Sequence, residues 1–289
     1  MESKIRDVLL KDEWKGVEFP DYPNNHEGFL KMDYSPDYGF IMNCLKYAIE
    51  NSEYSVRTLR LTDVFIEKNP SNQVIFDIRR RALEALGFDP YEELKTLDEF
   101  MMSNIKCYQF WCHRKWLLSK IDQYLESEEQ SVFRILVQDT KNFHAWQFII
   151  WFVRQFKKPE PFIQMIKDVL RFDIRNNSAW SALETIISNM KLQFSDYLDY
   201  AKLAFERNTS NSSAGMFLRF LAINDPSLFD PIYEFIEGKL KQEPDNCFLL
   251  SLLVLLNKNR NNMVTVKEMV PRILAQQPRL QVFCDQIDQ

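Results

Sequence analysis

The chain has 289 residues, is 46% hydrophobic and 14% aromatic, and carries a net charge of −5. That composition excludes a disordered chain, and the missing basic excess argues against nucleic acid as a partner. Six glycines against 23 phenylalanines and 10 methionines point to helices, because sheet proteins need more turn glycines.

The N-terminus, "MESKIRDVLLKDEW", has charges every few residues and no apolar signal core. The most apolar run, Phe248 to Leu256, is about half the length of a membrane span. Cys44, Cys107, Cys112, Cys247 and Cys284 are odd in number and scattered, so no disulfide framework is implied. A soluble, cytoplasmic protein without membrane insertion is expected. Residues 1–35 read as an N-terminal segment, and residues 36–289 as one repeat domain.

The first predicted hairpin joins "SPDYGFIMNCLKYAIENSE" to "SVRTLRLTDVFIEKNP". A repeat then becomes visible. Trp111 and Trp146 lie 35 residues apart (146 − 111), and Trp180 follows 34 later (180 − 146). The same step reaches Phe76 on one side, then Gly215 and Leu250 on the other. Four residues before these anchors stand Asn72, Asn142, Asn176, Asn211 and Asn246, with Cys107 as the exception. An asparagine oxygen accepts from the free N–H groups of a helix start, so each reads as an N-cap. Apolar residues follow at helical spacing, and a second helix fills each period, as in "PFIQMIKDVLRFD". The predicted fold is an all-α, right-handed superhelix (solenoid) of about seven helical hairpins with a period near 35.

Residues one period apart occupy equivalent places on successive hairpins. Lys106, Lys141 and Arg175 form one row, Tyr108 and Phe143 a second, Gln109 and His144 a third. All sit at helix starts, where free N–H groups favour anions. The residues alone leave two readings open: solvated charges beside well-packed helices, or a diphosphate contact. Trp111, Trp146 and Trp180 are expected in the core, and Arg114 between neighbouring hairpins. Cys107, Cys112 and His113 fan around a helix and have no second pair, so a zinc site is not expected there.

The stretches "KCYQFWCHRKWLL", "KNFHAWQFIIWFV" and "DIRNNSAWSALETIISN" resemble the repeats of the α subunit of protein prenyltransferases. The signature of tetratricopeptide repeats is absent. "DEWKGVEF" is similar to the N-terminal segment of the farnesyltransferase/geranylgeranyltransferase type I α subunit. The chain departs from the family at Phe148 and Ile149 (usually His-Arg), Gln73 (Tyr), Phe76 (Trp), Gly215 (an aromatic) and Cys107 (Asn).

The resemblance implies a subunit of a heterodimer that alkylates a cysteine thiolate near the C-terminus of CaaX proteins with farnesyl or geranylgeranyl from its diphosphate. It matches Lys106, Tyr108 and His144 to positions around the prenyl diphosphate. It matches Gln109 to the residue holding the acceptor's terminal carboxylate, with Asn142 flanking this surface. It also implies a β subunit as partner, with catalytic Zn2+ on that subunit and Mg2+ assisting in the heterodimer. The alternatives are the α subunit of Rab geranylgeranyltransferase and a non-catalytic scaffold of helical repeats.

Overall fold

A computed structural model describes residues 10–20 and 35–277. Among these residues there is no strand. From residue 36 to residue 276, fourteen α-helices follow one another in seven sequence pairs. They are α1 Pro36–Glu50 with α2 Val56–Lys68, α3 Gln73–Leu86 with α4 Pro90–Ser103, and α5 Tyr108–Ile121 with α6 Ser127–Gln138. Then come α7 Phe143–Phe156 with α8 Glu160–Phe172, and α9 Asn177–Met190 with α10 Leu198–Glu206. The last are α11 Ser212–Asn224 with α12 Phe229–Gln242, and α13 Cys247–Asn259 with α14 Met263–Gln276. The predicted helix class, pair count and period therefore stand. The chain forms two compact units, residues 1–125 and 126–289.

Each asparagine of the repeat caps the helix that follows it. The Oδ1 of Asn142 accepts from the Ala145 N–H at 3.0 Å and that of Asn176 from the Ala179 N–H at 3.1 Å. Asn72, Asn211 and Asn246 do the same for α3, α11 and α13. Capping alone would accept serine or aspartate equally well. The amide nitrogen explains why asparagine stands here. Asn176 Nδ2 donates to the Thr140 carbonyl at 3.0 Å, and Asn211 Nδ2 to the Ile174 carbonyl at 2.8 Å, each one repeat earlier. The same two carbonyls also accept from the indoles of Trp146 and Trp180, at 3.0 and 2.9 Å. A carbonyl has two lone pairs, so one oxygen closes its own repeat and anchors the next. Cys107 has no cap bond; its thiol reaches the Pro70 carbonyl at 3.1 Å, a weaker form of the same link.

The departures from the repeat have packing reasons. At Gly215 a Cβ would meet the Phe248 ring at 2.6 Å, so the aromatic missing from α11 is supplied by α13. Ile149 and Phe148 are fully buried in an aromatic core with Phe152 and Phe162. One period earlier, Arg114 is equally buried and pairs with Asp98 of α4. That ion pair ties α4 to α5, as expected for Arg114.

The described part of the N-terminal segment packs on the first hairpin. Trp14 is buried, edge-on to Tyr47 of α1 at 6.0 Å, with the Arg57 guanidinium of α2 over its ring at 4.3 Å. Cys284 lies outside the described residues.

Candidate functional site

The first unit places Tyr108 and Gln109 together. Both line a cavity of about 260 Å³ between α3 and α5, with Gln73, Asp77, Arg80 and Cys112. The α5 N-terminus sets this geometry: the chain turns at Cys107, and the next two residues project from the first helical turn. Tyr108 is 61% exposed, and its hydrogen bond to Cys112 raises the phenol's pKa, which keeps it a protonated donor. The Gln109 carbonyl oxygen accepts from the Cys107 thiol at 3.3 Å. Its amide N–H groups have no partner among the described residues, so they are left to meet a ligand oxygen.

Arg80 adds a half-buried guanidinium whose Nε donates to His113 Nδ1 at 3.3 Å. Behind it lies a network of buried charge. Arg79 makes a two-pronged contact with Glu93, at 2.6 and 2.9 Å, and bonds Asp63 at 2.6 Å and Thr62 at 2.9 Å. His113 Nε2 donates to the same Glu93 at 2.8 Å. Burial pushes the His113 imidazole down to about 4, so it is neutral, with its Nε2 proton held by Glu93. Both ring nitrogens are engaged, which removes His113 from any metal. No cluster of three or more His, Cys, Asp or Glu side chains suited to a metal is present among the described residues.

Lys106 is exposed, two residues before α5, and does not line the cavity. In the second unit, His144 sits half-buried in the first turn of α7, its ring edge-on to Phe143 at 5.6 Å. Asn142 is 2% exposed, and its side-chain oxygen is committed to the α7 cap. Its first role is thus in the fold. Lys141 and Arg175 are exposed one residue before their caps, as the repeat register requires.

Sequence reasoning missed Gln73, Asp77 and Arg80 as neighbours of Gln109. The signal was available: Asp77 and Cys112, and Arg80 and Lys115, are 35 apart, so the period places these rows side by side.

Residues 90–121, which span α4 and α5, match the family model described as "Protein prenyltransferase alpha subunit repeat". This stretch carries a repeat of the protein prenyltransferase α-subunit kind. The chain is 29% identical to the geranylgeranyl transferase type-2 subunit alpha of Saccharomyces cerevisiae over 154 residues, which is 47% of this chain and 46% of that protein. It is 36% identical over 77 residues to the protein farnesyltransferase/geranylgeranyltransferase type-1 subunit alpha of Solanum lycopersicum, covering 27% and 22%. The matched stretches thus span less than half the length of these relatives. A chain of the Candida albicans protein geranylgeranyltransferase-I, complexed with GGPP, superposes with a TM-score of 0.83 at 24% identity, covering 94% of this chain and 97% of that one. That likeness carries the fold, an all-α helical repeat of the same kind.

Proposed function

We propose that this chain is the α subunit of a heterodimeric protein prenyltransferase of the farnesyltransferase/geranylgeranyltransferase type I class. It would wrap a β subunit and transfer farnesyl or geranylgeranyl from the diphosphate to a cysteine near the C-terminus of CaaX proteins. The observation that carries the reading is the Gln109 amide. Its oxygen is held by Cys107 and its donors are left without a partner among the described residues, in a cavity shared with Tyr108 and Arg80. That is the chemistry a peptide carboxylate needs. In this reading Lys106 and His144 meet the prenyl diphosphate, where charge builds as the carbon–oxygen bond breaks. Fixed cations placed there act chiefly in the transition state. The described residues of this chain do not compose a zinc site, and no step is assigned to a metal on it. Zinc is expected on the β subunit and magnesium in the heterodimer.

A second reading, the Rab-type α subunit, is favoured by the longer match to the Saccharomyces cerevisiae type-2 subunit. Co-expression with a type I and a type II β subunit separates the two by which pair co-purifies and which lipid and acceptor it uses. In the active pair, Lys106→Ala is expected to slow the single-turnover chemical step at least about tenfold. Gln109→Ala should act mainly on KM for the peptide, by on the order of 1.5–3 kcal/mol at most. A Lys106→Ala pair that turns over at the wild-type rate removes this residue from the site.

A further inference from the structure

The cavity beside Gln109 has a counterpart in the second unit. Phe76, Asp77, Arg80, Gln109 and Cys112 line the first; Trp180, Ser181, Glu184, Ser213 and Met216 line the second, each 104 residues on (184 − 80). This second cavity, about 410 Å³, opens between α9 and α11. Its charged groups are poorly satisfied. Glu184 is part-buried and makes no hydrogen bond or ion pair among the described residues. Arg219 lines the same cavity. Its Nε is buried without a partner, and its one hydrogen bond among the described residues is a long one, 3.4 Å, to Asn259. The two opposite charges do not approach within 4.0 Å, although they share one pocket. Met216 and Ile223, 38% and 43% exposed, form an apolar rim.

We propose that the α9–α11 cavity is a socket for a side-chain carboxamide (asparagine or glutamine) of the partner β subunit, whose N–H donates to Glu184 and whose oxygen accepts from Arg219. The inference rests on the heterodimer reading above. Charge complementarity selects the occupant. An ammonium would answer Glu184 but add to the charge of Arg219. A carboxylate would answer Arg219 but repel Glu184 once that carboxyl ionises. A neutral amide satisfies both and leaves no net charge buried. This chain already uses that chemistry between its own repeats, where asparagine amides bridge a donor and an acceptor. The repeat register also supports the placement, because the lining of this cavity matches that of the Gln109 cavity position by position.

Burial alone raises the Glu184 carboxyl to about 7 in the isolated chain. Arg219 of α11, which lines the same cavity, does not offset that rise. A donor from the partner favours the ionised form, so association is expected to tighten as pH rises from 6 to 8 and to release protons.

The test measures the dissociation constant of the full chain with co-expressed type I and type II β subunits, as wild type and as Glu184→Leu, Arg219→Leu and the double variant. Each single substitution should weaken the heterodimer about tenfold. The double should be little worse than either single, since one amide engages both groups. Glu184→Gln, which keeps an acceptor, should bind within about threefold at pH 7 and lose the pH dependence. Thermal melts of each chain alone separate loss of fold from loss of contact. If all variants bind as wild type does, this inference falls and the heterodimer reading survives. If the wild-type chain binds neither β subunit, the heterodimer reading falls first and this one with it.

Discussion

The two units use the same repeat with opposite core chemistry. In the first, Arg79 pairs with Asp63 and Arg114 with Asp98, each arginine 16 residues after its aspartate. In the second, one period on, the corresponding places are held by Ile149 and Phe133, and later by Leu183, Leu218 and Leu253. The isoleucine and leucines are fully buried, and α7 closes on stacked phenylalanines instead of an ion pair. Phe133, where the aspartate would stand, is 42% exposed on an apolar cleft with Val137 and Phe172. The repeat thus fixes where a helix seam lies, and either charge or apolar bulk can fill it. Buried ion pairs are often replaceable by apolar residues of similar volume, whereas half a pair is costly.

The largest expected effect breaks the charged seam on one side only. Arg79→Leu strands Glu93 and Asp63, and should cost about 3–5 kcal/mol in urea unfolding. Converting the next pair to its second-unit form, Arg114→Leu with Asp98→Phe, should leave stability within about 1 kcal/mol of wild type. Equal losses from both changes would mean that the two seams are not interchangeable.

Acid should separate the units next. His113 is held neutral down to about 4, so between the usual imidazole value and that point the unfolded chain takes up a proton that the folded one refuses. The first unit therefore loses stability as pH falls from the usual imidazole value toward 4, by on the order of a few kcal/mol. Burial pulls the Glu93 carboxyl up, but its hydrogen bonds from His113 and Arg79 outweigh that and hold it low, which adds a further loss below the ordinary glutamate range. In the second unit the sign reverses. Glu184 is raised to about 7, so the folded chain holds the extra proton and that region is weakened as pH rises through the window from the ordinary glutamate value to 7. Urea melts of wild type and His113→Gln between pH 4.5 and 7.5 check the first effect, because the glutamine keeps a donor for Glu93 without titrating.

The smallest pair of effects compares the caps. Asn176→Ala removes an N-cap acceptor and the donor to the Thr140 carbonyl, and should cost about 2 kcal/mol. Cys107→Asn restores in the first unit what the other repeats have, and should add about 1 kcal/mol. A destabilised Cys107→Asn chain would indicate that the Gln109 contact made by the thiol matters more than the cap.

Local rules suffice for the architecture. Caps, apolar stripes and a fixed period are properties of neighbouring residues, so the helix starts at Asn72, Asn142, Asn176, Asn211 and Asn246 are legible in the residue pattern alone. The period also puts Gln109 and Tyr108 on one helix start, and the folded chain places them in one cavity. It does not say how deeply each row lies: the cap asparagines Asn142, Asn176 and Asn211 are buried, whereas Tyr108 and Phe143 in the next row stand exposed. The second bond of Asn176 and of Asn211 runs to a carbonyl 36 or 37 residues back. The choice between Arg79–Glu93 and an apolar seam, and the separation of Glu184 from any cation among the described residues, depend likewise on which helices meet and how deeply. Sequence determined the repeat, because hydrogen bonding along a helix is local. Packing decided the partners, because burial and charge pairing are set by side chains a whole repeat apart.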